Sequence, residues 1–158
     1  MKRILFFSIF VGLVFPSVLI AEVTRISCKT SQERIKSTRM WIDVNKAKFS
    51  EWKKIKGFVY NFEFNEKGDY VDVYFPNKSY ARAGTNLATF RPDLIKFVLP
   101  VKKDLVDNTY TLDNYELNRI NGDFSRIFKI FNSENNELTY EMQVKGKCKK
   151  NSNQIKLF

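Results

Sequence analysis

The sequence predicts an all-β fold: a single antiparallel β-barrel or β-sandwich of about seven to nine strands, preceded by an N-terminal signal helix. Three observations lead there. Apolar residues recur at every second position over most of the chain, turn residues break that alternation at short intervals, and few stretches carry an apolar stripe at helical spacing.

The first element is the leader. Lys2 and Arg3 precede the apolar run Ile4 to Val14, and Pro16-Ser17 then leads to the small Ala21. That order reads as a signal peptide over residues 1–21, cut before Glu22, and makes the protein exported, periplasmic or secreted. Pro16 and Ser17 interrupt the apolar stretch near the lower limit of a bilayer span, so no transmembrane span is expected after cleavage. Residues 22–150 then form one β domain and residues 151–158 a polar C-terminal tail. Cys28 stands behind the charged Glu22 and Arg25, too far past the leader for a lipid anchor. Two cysteines in an exported chain read as one disulfide, Cys28–Cys148.

Along the domain, Ile26 and Cys28 share a strand face. Thr30 to Met40 is the one helix candidate, because Thr30 and Glu33 have capping-box spacing. Met40, Ile42 and Val44 alternate against Trp41 and Asp43, and a turn around Asn45 to Ala47 returns the chain through Phe49. Gly57 introduces Phe58, Tyr60, Phe62 and Phe64 on one face, and Asn65 to Asp69 turns into Val71, Val73 and Phe75. With Asn61 and Glu63 opposite, the four aromatics read as core and not as a stacking platform.

Residues 76–91 lack alternation and hold Pro76, Asn77, Ser79, Gly84 and Thr85, which makes them the longest predicted loop. Loops carry binding residues disproportionately, so Tyr80, Arg82, Phe90 and Arg91 are the candidate ligand or partner contacts. Asn77-Lys78-Ser79 also matches a glycosylation sequon, relevant only in a eukaryotic secretory route. Leu94 to Leu99 is a buried strand ended by Pro100, and Asn121-Gly122 turns a hairpin between Tyr115 and Phe131. In the last strand Leu138, Tyr140, Met142, Val144 and Cys148 lie opposite Thr139, Glu141, Gln143, Lys145 and Lys147. Cys148 therefore faces inward, and the bridge joins first and last strands from inside, as in a sheet that returns upon itself.

The absence of His removes imidazole bases, His-containing triads and His metal ligands, and a paired cystine removes Cys nucleophiles and thiolate sites. No phosphate-binding glycine motif and no Gly-x-Ser-x-Gly elbow occurs. No catalytic residue, metal or cofactor is therefore assigned, and the protein reads as a non-enzyme. A carboxylate-only hydrolase is the third-ranked reading, with Asp43, Glu63, Asp72 and Glu116 as its possible acids; each is more simply an outward strand residue.

The chain carries a net charge of +10, and losing the leader removes two of its 27 basic residues and none of its 17 acidic ones, leaving +8. The first reading is thus a non-catalytic binding or envelope-associated protein that prefers anionic partners, such as an anionic envelope component; no nucleic-acid motif is present. The alternative is a barrel holding a small apolar ligand, in keeping with fifteen Phe and seven Tyr, though four of the Phe lie in the leader. A lipocalin-type barrel lacks its Gly-x-Trp signature, since Arg39 and Ser50 stand two residues before Trp41 and Trp52. An outer-membrane barrel fits the terminal Phe158 but not Lys156 or Gln154.

Tyr115-Glu116-Leu117-Asn118-Arg119-Ile120-Asn121-Gly122-Asp123-Phe124, followed by Gly146-Lys147-Cys148-Lys149-Lys150, resembles a loose group of small exported bacterial proteins of unknown function. Trp41-Ile42-Asp43-Val44 is similar to their second strand. The resemblance implies a late Cys paired with an early one and an exported β fold. It implies no activity.

Overall fold

The computed structural model describes residues 23–37, 47–67, 69–84 and 86–150. The leader, the tail and the predicted strand at 39–45 lie outside them. Ten strands follow in order: β1 (Thr24–Ser37), β2 (Lys53–Lys54), β3 (Val59–Asn65), β4 (Tyr70–Tyr74), β5 (Tyr80–Ala83), β6 (Ala88–Phe90), β7 (Leu94–Asp104), β8 (Thr109–Asn118), β9 (Asp123–Asn132) and β10 (Leu138–Lys150). Every pairing is antiparallel. Hydrogen bonding links nine of them as β5-β4-β3-β1-β10-β9-β8-β7-β6, with β2 alone off that path, on β1. The ends of the path meet where β5 lies against β7, giving a nearly closed antiparallel barrel. Of the two architectures left open by alternation, the barrel forms.

The period of two puts one residue in every pair inside. Phe62 is the centre of the interior: its ring lies 5.7–6.4 Å from those of Tyr60, Phe64, Phe97, Tyr115 and Phe124, with Phe97 and Tyr115 stacked at 4.7 Å. Val71, Val73, Ile95 and Leu117 fill the space between them, all essentially inaccessible. Tyr60, Phe62 and Phe64 are thus core, as the alternation predicts. Phe58 is not; it precedes β3 and is 55% exposed at the open end.

Cys28 and Cys148 are directly opposed in the β1–β10 ladder and joined by a disulfide. Cys28 is fully buried, so the bridge does join the first and last strands from inside. It does not close the barrel, however: β1 and β10 lie mid-path, and the seam falls between β5 and β7.

Three local expectations are corrected. Thr30 onward is strand, not helix, through Ser37: eleven registered pairs join β1 to β10, and the Thr30 hydroxyl accepts from the Phe58 N–H at 2.8 Å instead of capping a helix. Ladder hydrogen bonds over a whole strand outweigh a single cap. The region 76–91 is not one loop but contains β5 and β6. Its alternation is hidden because the inward positions are alanines; Ala81 and Ala83 oppose Val73 and Val71, where bulky rings leave little room. Finally, β7 runs past Pro100 to Asp104, with a register shift between Leu99 and Lys102 that accommodates a residue lacking an N–H. The 118–123 turn forms as predicted, with Gly122 at φ 72°.

The strands differ in length, and that shapes the molecule. β1, β7, β8, β9 and β10 have 10–14 residues each, whereas β3 to β6 have 3–7. The long strands outrun the short ones at one end and leave a hollow there. No helix occurs among the described residues, and none is long and apolar enough to cross a membrane.

Candidate functional site

A heavily charged concave surface lies outside β1, beside the 47–58 segment. Two clamps hold that segment. At one end Arg34 stacks between Phe49 and Trp52, 4.5 and 4.7 Å from their ring centres, while its Nε and Nη2 donate to Gln143 Oε1 at 2.9 and 2.7 Å. The Lys145 ammonium lies 4.4 Å from the Trp52 ring. At the other end Thr30 N–H donates to Phe58 O at 2.9 Å, and Phe58 N–H to Thr30 Oγ1. Gly57 permits the approach, because a Cβ there would run into the Thr30 carbonyl oxygen.

Between the clamps runs a groove of about 880 Å³ lined by Lys29, Lys54, Lys56, Lys147 and Lys149. Among the described residues no carboxylate lines it. Lys29 and Lys147 are directly opposed in the β1–β10 ladder, an arrangement that costs stability in a sheet. Lys147 Nζ reaches Asp123 at 2.7 Å, and that hydrogen bond holds the Asp123 carboxyl below the usual carboxylate range. Lys29, Lys54, Lys56 and Lys149 have no ion-pair partner among the described residues. Ser27, Ser31 and Gln32 add hydrogen-bonding groups along the same wall. Chemically the groove offers several ammonium groups, two of them from Lys147 and Lys149, whose Cα atoms lie about 6.5–7 Å apart at i and i+2 of one strand.

A second cavity, of about 470 Å³, occupies the hollow at the open end. Its floor is a polar cluster inside the barrel. Arg126 Nε and Nη2 donate to the two Asp113 oxygens, both at 2.8 Å, Arg126 Nη1 donates to the Tyr60 hydroxyl at 2.8 Å, and the Tyr115 hydroxyl donates to Asp113 Oδ2 at 2.9 Å. The Arg126 and Asp113 side chains are only 12% and 10% exposed. Burial opposes the Arg126 charge, but the hydrogen bonds to Asp113 outweigh it and raise its ionisation further; burial and Asp113 push the Tyr115 hydroxyl up. Arg126 stays a cation, and Tyr115 stays neutral. Above them Phe58, Tyr60, Phe75, Met142 and Val144 form apolar walls, with Glu33 at the side.

The four candidate contacts separate. Tyr80 and Arg82 come together on the outer face, both bound to Asp72: the Tyr80 hydroxyl donates to Oδ1 at 2.7 Å, and Arg82 grips both oxygens at 2.6 and 2.8 Å. Burial works to raise the Asp72 carboxyl, and the Arg82 and Tyr80 hydrogen bonds more than reverse it. Phe90 instead packs inward on Phe64, 6.4 Å between ring centres. Arg91 lies in the β6–β7 turn, its backbone bonded to Leu94.

The possible acids are also placed. Glu63 and Asp72 oppose each other across β3 and β4, but on the convex outside, each held by an arginine, Arg25 and Arg82. Glu116 pairs with Lys96. Asp43 lies outside the described residues. Among the described residues no His, Cys, Asp or Glu grouping is arranged to hold a metal ion.

The lysine groove is invisible to a reading of composition, which sees only spread charge. Lys145, Lys147 and Lys149 do follow the strand period of β10 and therefore fall on one face. That Lys29, Lys54 and Lys56 meet that face is a matter of tertiary contact. No protein-family model and no curated protein matches the chain.

Proposed function

We propose that this protein is an exported, non-catalytic binding protein whose lysine groove docks a linear anionic component of the cell envelope. The observation that carries the reading is the groove itself: four lysines line one concavity, and among the described residues they have no ion-pair partner and no carboxylate lines that concavity. Retaining the Lys29–Lys147 opposition despite its cost to the sheet fits selection for binding over stability. A concave groove suits an extended chain better than a flat bilayer, and among the described residues no aromatic ring lines it to stack on bases. Glu63, Asp72 and Glu116, three of the possible acids, are committed to arginine and lysine partners, which supports a role without acid–base chemistry at those positions.

The test is a salt series on binding to polyphosphate, with vesicles rich in phosphatidylglycerol as the comparison. Affinity for the chain falls steeply with salt, and replacing Lys29, Lys54, Lys56 and Lys149 together with Gln lowers the log–log slope by about 3, at roughly 0.7 per contact on a flexible polyanion. Equal loss on replacing Lys78, Lys102 and Lys103, which lie outside the groove, would defeat the assignment.

A further inference from the structure

We infer that the cavity at the open end is a separate binding site for a small organic cation with an apolar body. Its volume of about 470 Å³ falls within the range of small-molecule sites and has room for on the order of fifteen water-sized groups. The walls are apolar, and Phe58 stands at the mouth with more than half of its surface in solvent, although three alternating aromatics of the same run are buried. An exposed ring over an open apolar cavity is a surface that a ligand would cover.

The sign of the ligand follows from the charges facing the cavity. Arg126 is the cation on the floor, and its charge is balanced by the two-pronged Asp113 pair, with the remaining contact taken by Tyr60. Glu33 is the other charged residue among the described lining residues, and no described residue pairs with it. Lys53, its neighbour in the β1–β2 ladder, is exposed and outside ion-pair distance. Among the described residues the cavity thus holds one negative charge without an ion-pair partner, beside the rings of Phe58, Tyr60 and Phe75, the combination that recognises ammonium groups. This site does not depend on the lysine groove, and its preference runs against the protein's net positive charge.

Titration calorimetry of the oxidised protein with octyltrimethylammonium, octanoate and octanol, each below its micellar concentration, tests the inference. The ammonium binds at least about tenfold more tightly than octanoate, a difference the overall field would reverse. Glu33→Gln removes that discrimination, Phe58→Ala weakens all binding several-fold without disturbing the core, and Met142→Trp fills the cavity and blocks it. Lysine-groove replacements do not weaken ammonium binding. Octanoate binding as tightly as the ammonium, no binding by any probe up to millimolar concentration, or unchanged discrimination in Glu33→Gln would each overturn it.

Discussion

Arg126 on β9 and Asp113 on β8 form a two-pronged ion pair inside the barrel, with both N–O contacts at 2.8 Å and both side chains nearly out of solvent. The pair separates the packed aromatic half of the interior from the open hollow. Removing one partner leaves the other buried and uncompensated. Arg126→Met is therefore expected to cost about 3–5 kcal/mol in urea unfolding, whereas Arg126→Met with Asp113→Leu recovers much of that loss. A double-mutant cycle that shows simple additivity would contradict the pairing.

The Asp72 cluster sets a pH dependence. Its carboxyl is held below its unfolded value by Arg82 and Tyr80, against the upward pull of burial. The folded state therefore binds this proton less readily than the unfolded one. Its contribution is complete above the unfolded pKa of about 3.9 and is lost as pH falls through the lower folded value. Because Arg82 is half-exposed, Asp72→Asn costs only about 1–2 kcal/mol at pH 7. Melting curves of the two proteins should converge at the acid end; a constant offset down to the lowest pH would argue against the sign.

The disulfide links residues separated by 120 positions. By the loop-entropy model, replacing both Cys28 and Cys148 with Ser lowers stability by about 3–5 kcal/mol. Thiol titration of denatured, unreduced protein should find no free thiol. A count of two would show that the bridge does not form.

Lys29→Gln separates stability from binding. It relieves the opposition with Lys147 and should raise stability by about 0.2–1 kcal/mol while weakening polyphosphate binding at low salt. Thermal melts and the salt series on the same variant check both halves.

Gly146 is buried, and a Cβ there would collide with the Lys29 carbonyl oxygen across the β1–β10 ladder. Gly146→Ala forces two paired strands apart and should cost about 1–3 kcal/mol. Disruption of the lysine groove would accompany it, visible as reduced polyanion retention.

Alternation along the chain determined, by itself, that Tyr60, Phe62, Phe64, Val71, Val73 and Cys148 face one interior, because side-chain direction in a strand depends only on position parity. Asn121-Gly122 likewise carried its own turn. Local signals misled where partners decided the outcome: the Thr30 and Glu33 spacing gave way to eleven pairs with β10, and the alanines of β5 showed no hydrophobic period until Val71 and Val73 stood opposite them. The candidate sites belong wholly to that second class. Lys29, Lys54 and Lys149 share a groove, and Glu33 shares a cavity with Phe58, Phe75 and Arg126, only because β1 pairs with β10, β2 and β3, and β10 with β9, which brings strands far apart in the chain side by side. Register and unequal strand length are properties of pairs of strands, so they placed these residues where no single stretch of sequence could.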